Sequence, residues 1–237
     1  MAEICNISVV IAHHDELIPE PFQPPENLTE RQLKRWKSRR MANFLLKTLL
    51  AKHELDPNLT TQIQRAPNGR PYLEQEDIDF NISHSGDWVA IIFSKVAENQ
   101  PKRIVAIDLE HPQKMRRFEP LIRHYADAVE IEQLIENSQI LPTLEQRFYL
   151  SWCLREAVLK SQGIGIIKLS EVIHRPDIRT IQTAYCPKGR LEFFYQFPFF
   201  LAYFFEDRDK YQLERLEWKA GGLQKIDDFA PLVYQVN

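Results

Sequence analysis

Apolar runs separated by polar turns divide the chain into strand-like and helix-like stretches. Residues 3–12 (EICNISVVIA) are rich in β-branched side chains and predict a strand. Pro19, Pro21, Pro24 and Pro25 then keep the backbone extended and exclude a helix. Thr29 stands three residues before Gln32, the spacing of a capping box. With Leu33, Trp36, Phe44 and Leu45 on one face, it predicts a helix running to about Glu54. The turn-forming run Pro67-Asn68-Gly69-Arg70-Pro71 follows. Trp88–Ser94 (WVAIIFS) and Arg103–Glu110 (RIVAIDLE) predict strands, with a polar turn at 98–102 between them. Residues 119–136 carry a helical pattern. Thr143 and Gln146 repeat the capping box and open a helix from Leu144 to about Gln162, ended by Gly163 and Gly165. The remainder alternates short strand-like runs with turns, one of them Pro187-Lys188-Gly189. A long helix plus several strands in each half makes the fold class α+β rather than a regular βαβ alternation. A boundary is expected near 98–105, giving one unit over residues 1–102 and another over 103–237.

Composition narrows the possibilities. With 237 residues, 44% of them hydrophobic, the chain can bury a sizeable core. A formal net charge of −3 gives no support for a general nucleic-acid binder. Charge is nevertheless uneven: residues 31–40 (RQLKRWKSRR) hold six Lys or Arg and no acid. Such a run suits a solvated helix face, a phosphate-bearing ligand or an acidic partner. Cys5, Cys153 and Cys186 are far apart and odd in number, which predicts free thiols in a reducing compartment. The most apolar stretch, Phe193–Phe205, is too short for a membrane span and is broken by Gln196 and Pro198, so it predicts core strands. No basic start followed by a long apolar run marks a signal peptide, so a cytoplasmic location is expected.

Several residues could carry chemistry. Asp108 and Glu110, two apart on a predicted strand, project from one face among apolar neighbours. Close carboxylates repel each other, and a hard divalent ion would relieve the repulsion; a strand end meeting water explains the pair equally. Trp152, Glu156 and Lys160 at i, i+4, i+8 share one helical face. Glu156 and Lys160 can be a plain ion pair, or a metal ligand or base beside a phosphate contact. Ser83 and His84 are adjacent and so point to opposite faces, and no GxSxG surrounds the serine, which argues against a hydrolase nucleophile. The same divergence makes His13 and His14 structural or surface residues, and His111 stands beside Glu110 with no second feature to make it a ligand.

Order and spacing add what single residues lack. Asn68-Gly69-Arg70-Pro71-Tyr72, Phe80-Asn81-Ile82-Ser83-His84-Ser85, Ala106-Ile107-Asp108-Leu109-Glu110 and Trp152-Cys153-Leu154-Arg155-Glu156-Ala157-Val158-Leu159-Lys160 follow one another. This series resembles the 4′-phosphopantetheinyl transferases of the large, surfactin-synthetase type, whose motifs are G-K/R-P, F-N-x-S-H-S, G-I-D-x-E and W-x-x-K-E-A-x-x-K. Ala106 and Arg155 depart from that pattern, with Gly and Lys usual there, and the arginine motif of the first helix is loosely matched. The segment around Tyr125 and Glu130 is similar to the family's aromatic-x-x-x-E-x-x-x-L stretch.

The resemblance implies two similar α/β halves related by pseudo-twofold symmetry, with the site between them and complete in a monomer. It implies Mg²⁺ on Asp108, Glu110 and Glu156, and coenzyme A against Arg40, Arg70, Ser83, His84 and Lys160, with Arg39 close behind Arg40. Glu156 and Lys160 would carry catalysis. The implied reaction moves phosphopantetheine from coenzyme A to a serine of an acyl or peptidyl carrier protein. That partner supplies the nucleophile, and no nucleic acid or membrane is involved. Two other readings remain: a Mg²⁺-dependent phosphoesterase using the same acids, which needs neither Ser83 nor His84, and an inactive coenzyme A-binding protein.

Overall fold

The β-branched run at the start forms strand β1 (Cys5–His13), buried along nearly its whole length. A computed structural model describes residues 4–97, 100–113, 115–136, 139–208 and 210–237; the expected turn residues Glu98 and Asn99, and Glu3 of the expected first strand, lie outside them. Helix α1 (Glu30–Lys52) opens on the expected capping box, with Thr29 and Gln32 bonded reciprocally. A short ribbon, β2 (Gln64–Arg65) and β3 (Pro71–Tyr72), closes around Asn68-Gly69. Strands β4 (Ile78–Ser85) and β5 (Trp88–Lys95) form a hairpin whose turn uses Gly86 at φ +58°.

Strand β6 (Val105–Glu110) begins the second sheet. The helical pattern over 119–136 resolves into α2 (Phe118–Tyr125), α3 (Ala128–Ile131) and a wider turn over Glu132–Glu136. The break has a local cause: Asp127 accepts a hydrogen bond from Glu130 N at 3.0 Å and caps a new helix. Helix α4 (Leu144–Ser161) opens on the Thr143–Gln146 box. Gly163 follows it at φ +65°. Short strands β7 (Ile173–Arg175) and β8 (Thr180–Gln182) lead to the aromatic hairpin of β9 (Gly189–Phe194) and β10 (Phe200–Glu206). Strands β11 (Tyr211–Lys219), β12 (Gly222–Lys225) and β13 (Leu232–Val236) complete the chain.

The sheets run β12-β11-β1-β5-β4 and β6-β10-β9-β13-β8-β7. Helix α1 covers the outer face of the first sheet, packing Met41, Leu45 and Leu49 with Val10, Val89 and Ile91. Helix α4 covers the second, with Cys153, Leu154 and Ala157 in one cluster with Ala106, Ala202 and Phe204. Ile7, Val9, Ile11 and Ile92 meet Val105, Ile107, Leu109, Leu201 and Tyr203 between them. Strands covered on both faces read as unbroken apolar runs, which explains β1, β5 and the aromatic hairpin. The mixed α/β class is as expected. A cut at residue 102, however, does not separate the sheets. β11 pairs in parallel with β1, from Cys5↔Tyr211 to Ile11↔Glu217, so residues 211–225 belong to the first sheet. Pairing across some two hundred residues leaves no local signature in the sequence. Among the described residues, no helix is long and apolar enough to cross a membrane.

Candidate active site

Alternation along β6 decides where its acids go. Ile107 and Leu109 enter the apolar layer between the sheets. Asp108 and Glu110 turn the other way, towards α4. The i, i+4, i+8 row of α4 lies along them. Trp152 Nε1 donates to Glu110 Oε1 at 3.3 Å, and Lys160 Nζ donates to Asp108 Oδ1 at 2.5 Å. Lys160 Nζ is also 3.3 Å from Ser83 Oγ and 3.9 Å from Glu156 Oε2. Ser85 Oγ donates to Glu110 Oε2 at 3.1 Å.

Charge does not balance here. Three carboxylates face the Lys160 ammonium and, at Glu110, the charge of Arg116, and Asp108 Oδ2 and Glu156 Oε1 are buried without a hydrogen-bond partner. Burial pushes Glu156 up to about 7; Asp108 and Glu110 add to the shift and Lys160 opposes it. Burial, then Asp108, raises Glu110 as well. Burial works against the charge on Lys160, but Asp108 and Glu156 outweigh it and hold that pKa above its ordinary value. The cluster therefore keeps a proton or takes a further cation. Its oxygen-only donors and two orphaned oxygens suit a hard divalent ion in chemistry. Among the described residues no three His, Cys, Asp or Glu side chains are already closed around one point, and Lys160 occupies Asp108 Oδ1.

His84, at the exposed end of β4, is surrounded by cations. Loss of solvent lowers its pKa first, and then Lys160, Arg35 and Arg39 do so. Arg35 and Arg39, one turn apart on α1, are both exposed. Lys160 and these two arginines thus present positive charge to an anion, with the neutral His84 ring among them. Arg40, the expected coenzyme A contact, is placed differently from its neighbour Arg39. One residue further along a helix turns about 100°, and the Arg40 guanidinium lies 5.6 Å from the Phe22 ring and 5.9 Å from the Trp36 ring, with Nη2 donating to Glu20 O. Arg35, outside the expected set, stands at i, i+4 to Arg39 in the basic run and acts on His84 with it. Arg70 sits between β4 and β6, with Nη2 donating to Asp79 Oδ2 at 2.7 Å and Val105 O at 3.0 Å. Ser83 is buried, and its Oγ accepts from Leu109 N at 3.0 Å.

Glu130, buried like its partners, accepts two bonds from the Arg155 guanidinium and one from Ser151, and lies 2.8 Å from His174 Nδ1. Burial works against its charge, but Arg155 and His174 hold its pKa down at about 2. This network fixes the turn of α4 that carries Trp152 and Glu156. A second constellation, Ser8 with His53 and Glu214, has the wrong order for nucleophilic catalysis. Ser8 Oγ donates to Glu214 Oε1 at 2.7 Å and lies 2.9 Å from His53 Nε2, so the acid binds the serine rather than orienting the ring. His111 packs over Gly86, where an added Cβ would meet its ring at 2.4 Å.

Residues 104–215 match the 4′-phosphopantetheinyl transferase superfamily, and residues 31–96 match the 4′-phosphopantetheinyl transferase N-terminal family. A Haemophilus influenzae protein provisionally named a 4′-phosphopantetheinyl transferase is 43% identical over 223 residues, covering 94% of this chain and 92% of that protein. A phosphopantetheinyl transferase of Thraustochytrium sp. is 32% identical over 136 residues, 52% of this chain and 44% of its own length. The 4′-phosphopantetheinyl transferase gsp of Aneurinibacillus migulanus is 28% identical over 111 residues, 46% and 41% of the two chains.

Proposed function

The chain belongs to the 4′-phosphopantetheinyl transferase superfamily, and we propose that it moves the phosphopantetheine arm of coenzyme A to a serine hydroxyl of an apo acyl or peptidyl carrier protein. The observation that carries this reading is the acid cluster of buried Asp108 and part-buried Glu110 and Glu156, with acids in excess over cations, beside the exposed Arg35, Arg39 and His84. Coenzyme A is rich in phosphate. Arg35 and Arg39 would hold phosphate oxygens in bidentate fashion. His84, kept neutral by its surroundings, would gain a proton once an anion lies against it. Lys160 would neutralise pyrophosphate oxygens. Asp108, Glu110 and Glu156 would hold Mg²⁺, which when bound offsets phosphate charge in the transition state.

The carrier serine Oγ attacks the β-phosphorus of coenzyme A. The bond from that phosphorus to the bridging oxygen breaks, and adenosine 3′,5′-bisphosphate leaves with the electron pair. Glu156, a carboxylate beside Asp108 and Lys160 at the site, takes the serine proton. The nucleophile belongs to the partner, in keeping with an acid cluster that has no activated serine or cysteine of its own. The motif series, with its departures at Ala106 and Arg155, supports the large, surfactin-synthetase type. A monomer acting in the cytoplasm, with Cys5, Cys153 and Cys186 outside any disulfide, completes the reading.

Chromatographic release of adenosine 3′,5′-bisphosphate from coenzyme A tests the proposal. Release that requires both apo carrier and a divalent cation is the expected result. Release at the same rate without carrier would replace the transferase reading by a phosphoesterase.

A further inference from the structure

Strand β6 is an edge strand, yet it is almost wholly buried. Its neighbour β10 pairs with it in antiparallel register, Ala106↔Phe204, Asp108↔Ala202 and Glu110↔Phe200. In such a pair alternate residues turn N–H and C=O away from the partner. The N–H groups of Val105, Ile107 and Leu109 therefore need acceptors elsewhere, since a buried orphan donor is costly. Side chains of β4 supply all three. Asp79 Oδ2 accepts from Val105 N, Asn81 Oδ1 from Ile107 N and Ser83 Oγ from Leu109 N, each at 3.0 Å.

The sequence offset is 26 at every rung, so the two strands advance together, two residues per step. Positions i, i+2 and i+4 of β4 point to one side, and here that side faces the β6 backbone. Three side-chain oxygens thus take the place of a strand's carbonyls and join the edges of the two sheets. Arg70 latches the first rung, because its Nη2 binds both Asp79 Oδ2 and Val105 O. Register matters on this strand. A slip of one residue would turn Asp108 and Glu110 into the apolar layer between the sheets.

We infer that Asp79, Asn81 and Ser83 form a side-chain ladder that sets the register of β6, and that Asn81 in particular is a positioning residue for the acid cluster. The ladder fixes where Asp108 and Glu110 stand relative to Glu156 and Lys160. It also gives the asparagine and serine of the Phe80-Asn81-Ile82-Ser83 run a physical task distinct from contact with a substrate. The catalytic part of this inference rests on the transferase reading; the ladder itself does not.

Amide exchange and kinetics on the full chain separate the two. In the wild type the Ile107 amide should exchange as slowly as that of Asp108. In Asn81→Leu, which keeps size and removes the acceptor, Ile107 should exchange at least about tenfold faster while Asp108 keeps its protection. The same variant should lose about tenfold in kcat with little change in KM for coenzyme A, and need more divalent cation for half-saturation. Asn81→Asp, which keeps the acceptor oxygen, should restore the slow Ile107 exchange. An unprotected Ile107 in the wild type, or unchanged exchange in Asn81→Leu, overturns the ladder. Fast exchange with unchanged kcat and cation requirement overturns the positioning role. If Asn81→Leu does not fold, Asn81→Ala serves for both readouts. A wild type without transferase activity would sink the functional reading alone, and Ile107 exchange would still decide the ladder.

Discussion

At Glu156 a buried carboxylate faces Asp108 and Glu110 with Lys160 as the nearest cation. Its pKa of about 7 lies above the ordinary 4.5, so the folded chain binds that proton more tightly than the unfolded chain does. Stability from this group is full below 4.5 and is lost as pH rises to about 7. Glu156→Gln should therefore raise the Tm of cation-free protein at pH 8, by about 2–6 °C for a gain on the order of 1–2 kcal/mol. It should leave the Tm unchanged at pH 4 and abolish transfer; thermal scans at the two pH values check the sign. Divalent cation binding should release protons near pH 6.5 and tighten as pH rises towards 8, measurable by calorimetry in buffers of different ionisation enthalpy. The α1 arginines give a sharper contrast. Arg39→Ala should raise KM for coenzyme A about five- to tenfold, whereas Arg40→Ala, whose guanidinium lies with Glu20 and Phe22, should leave it near the wild-type value. The pairs Asp108 with Glu110 and Glu156 with Lys160 were legible because strand and helix periods put them on shared faces, whereas Ser83 and His84 stood out only through the motif resemblance. A run of basic residues does not disclose which of two neighbours, Arg39 or Arg40, the helix turns towards His84.

Among the elements, α4 carries Glu156 together with Trp152 and Lys160, which bind the other two acids, and is held at three points. Thr143 and Gln146 cap its start. Arg155 binds Glu130 along its middle. At its end Asn68 Nδ2 donates to Gln162 O at 2.8 Å, and a Cβ on Gly163 would come within 2.4 Å of the Asn68 amide. Arg155→Met would leave Glu130 buried without its counter-ion and should cost about 3–5 kcal/mol in denaturant unfolding. Gly163→Ala meets both the close contact and a positive φ, and should cost about 1–2 kcal/mol. Both capping boxes, strands β1, β5 and β6 and the end of α4 at Gly163 could be read from sequence, since each rests on local chemistry. The break before Asp127 was also written there, as an N-cap three residues before Glu130, but the apolar spacing runs across it and masks it. The Asp79-Asn81-Ser83 ladder was not legible, because alternating polar residues on a strand look the same whether they face water or another backbone.

Among the described residues two large sheets, each with one long helix, are sewn together by the chain's return. Parallel pairing of β11 with β1 makes residues 211–225 part of the first sheet. A fragment of residues 1–102 should therefore not fold by itself, and removal of residues 211–237 should unfold the first sheet as well as the second; circular dichroism and amide dispersion would show this. A cooperative transition from the 1–102 fragment would contradict it. The acid cluster has the same dependence, since β6 and α4 come from one sheet's side while Ser83, His84, Arg35 and Arg39 come from the other. The most direct test of the account is the intact mass of an apo carrier protein after incubation with this chain, coenzyme A and Mg²⁺. The account predicts a gain of one phosphopantetheine, abolished by chelator and by Glu156→Gln. An unchanged carrier mass with the wild-type chain, across fatty-acid and peptide-synthetase carriers, would contradict it.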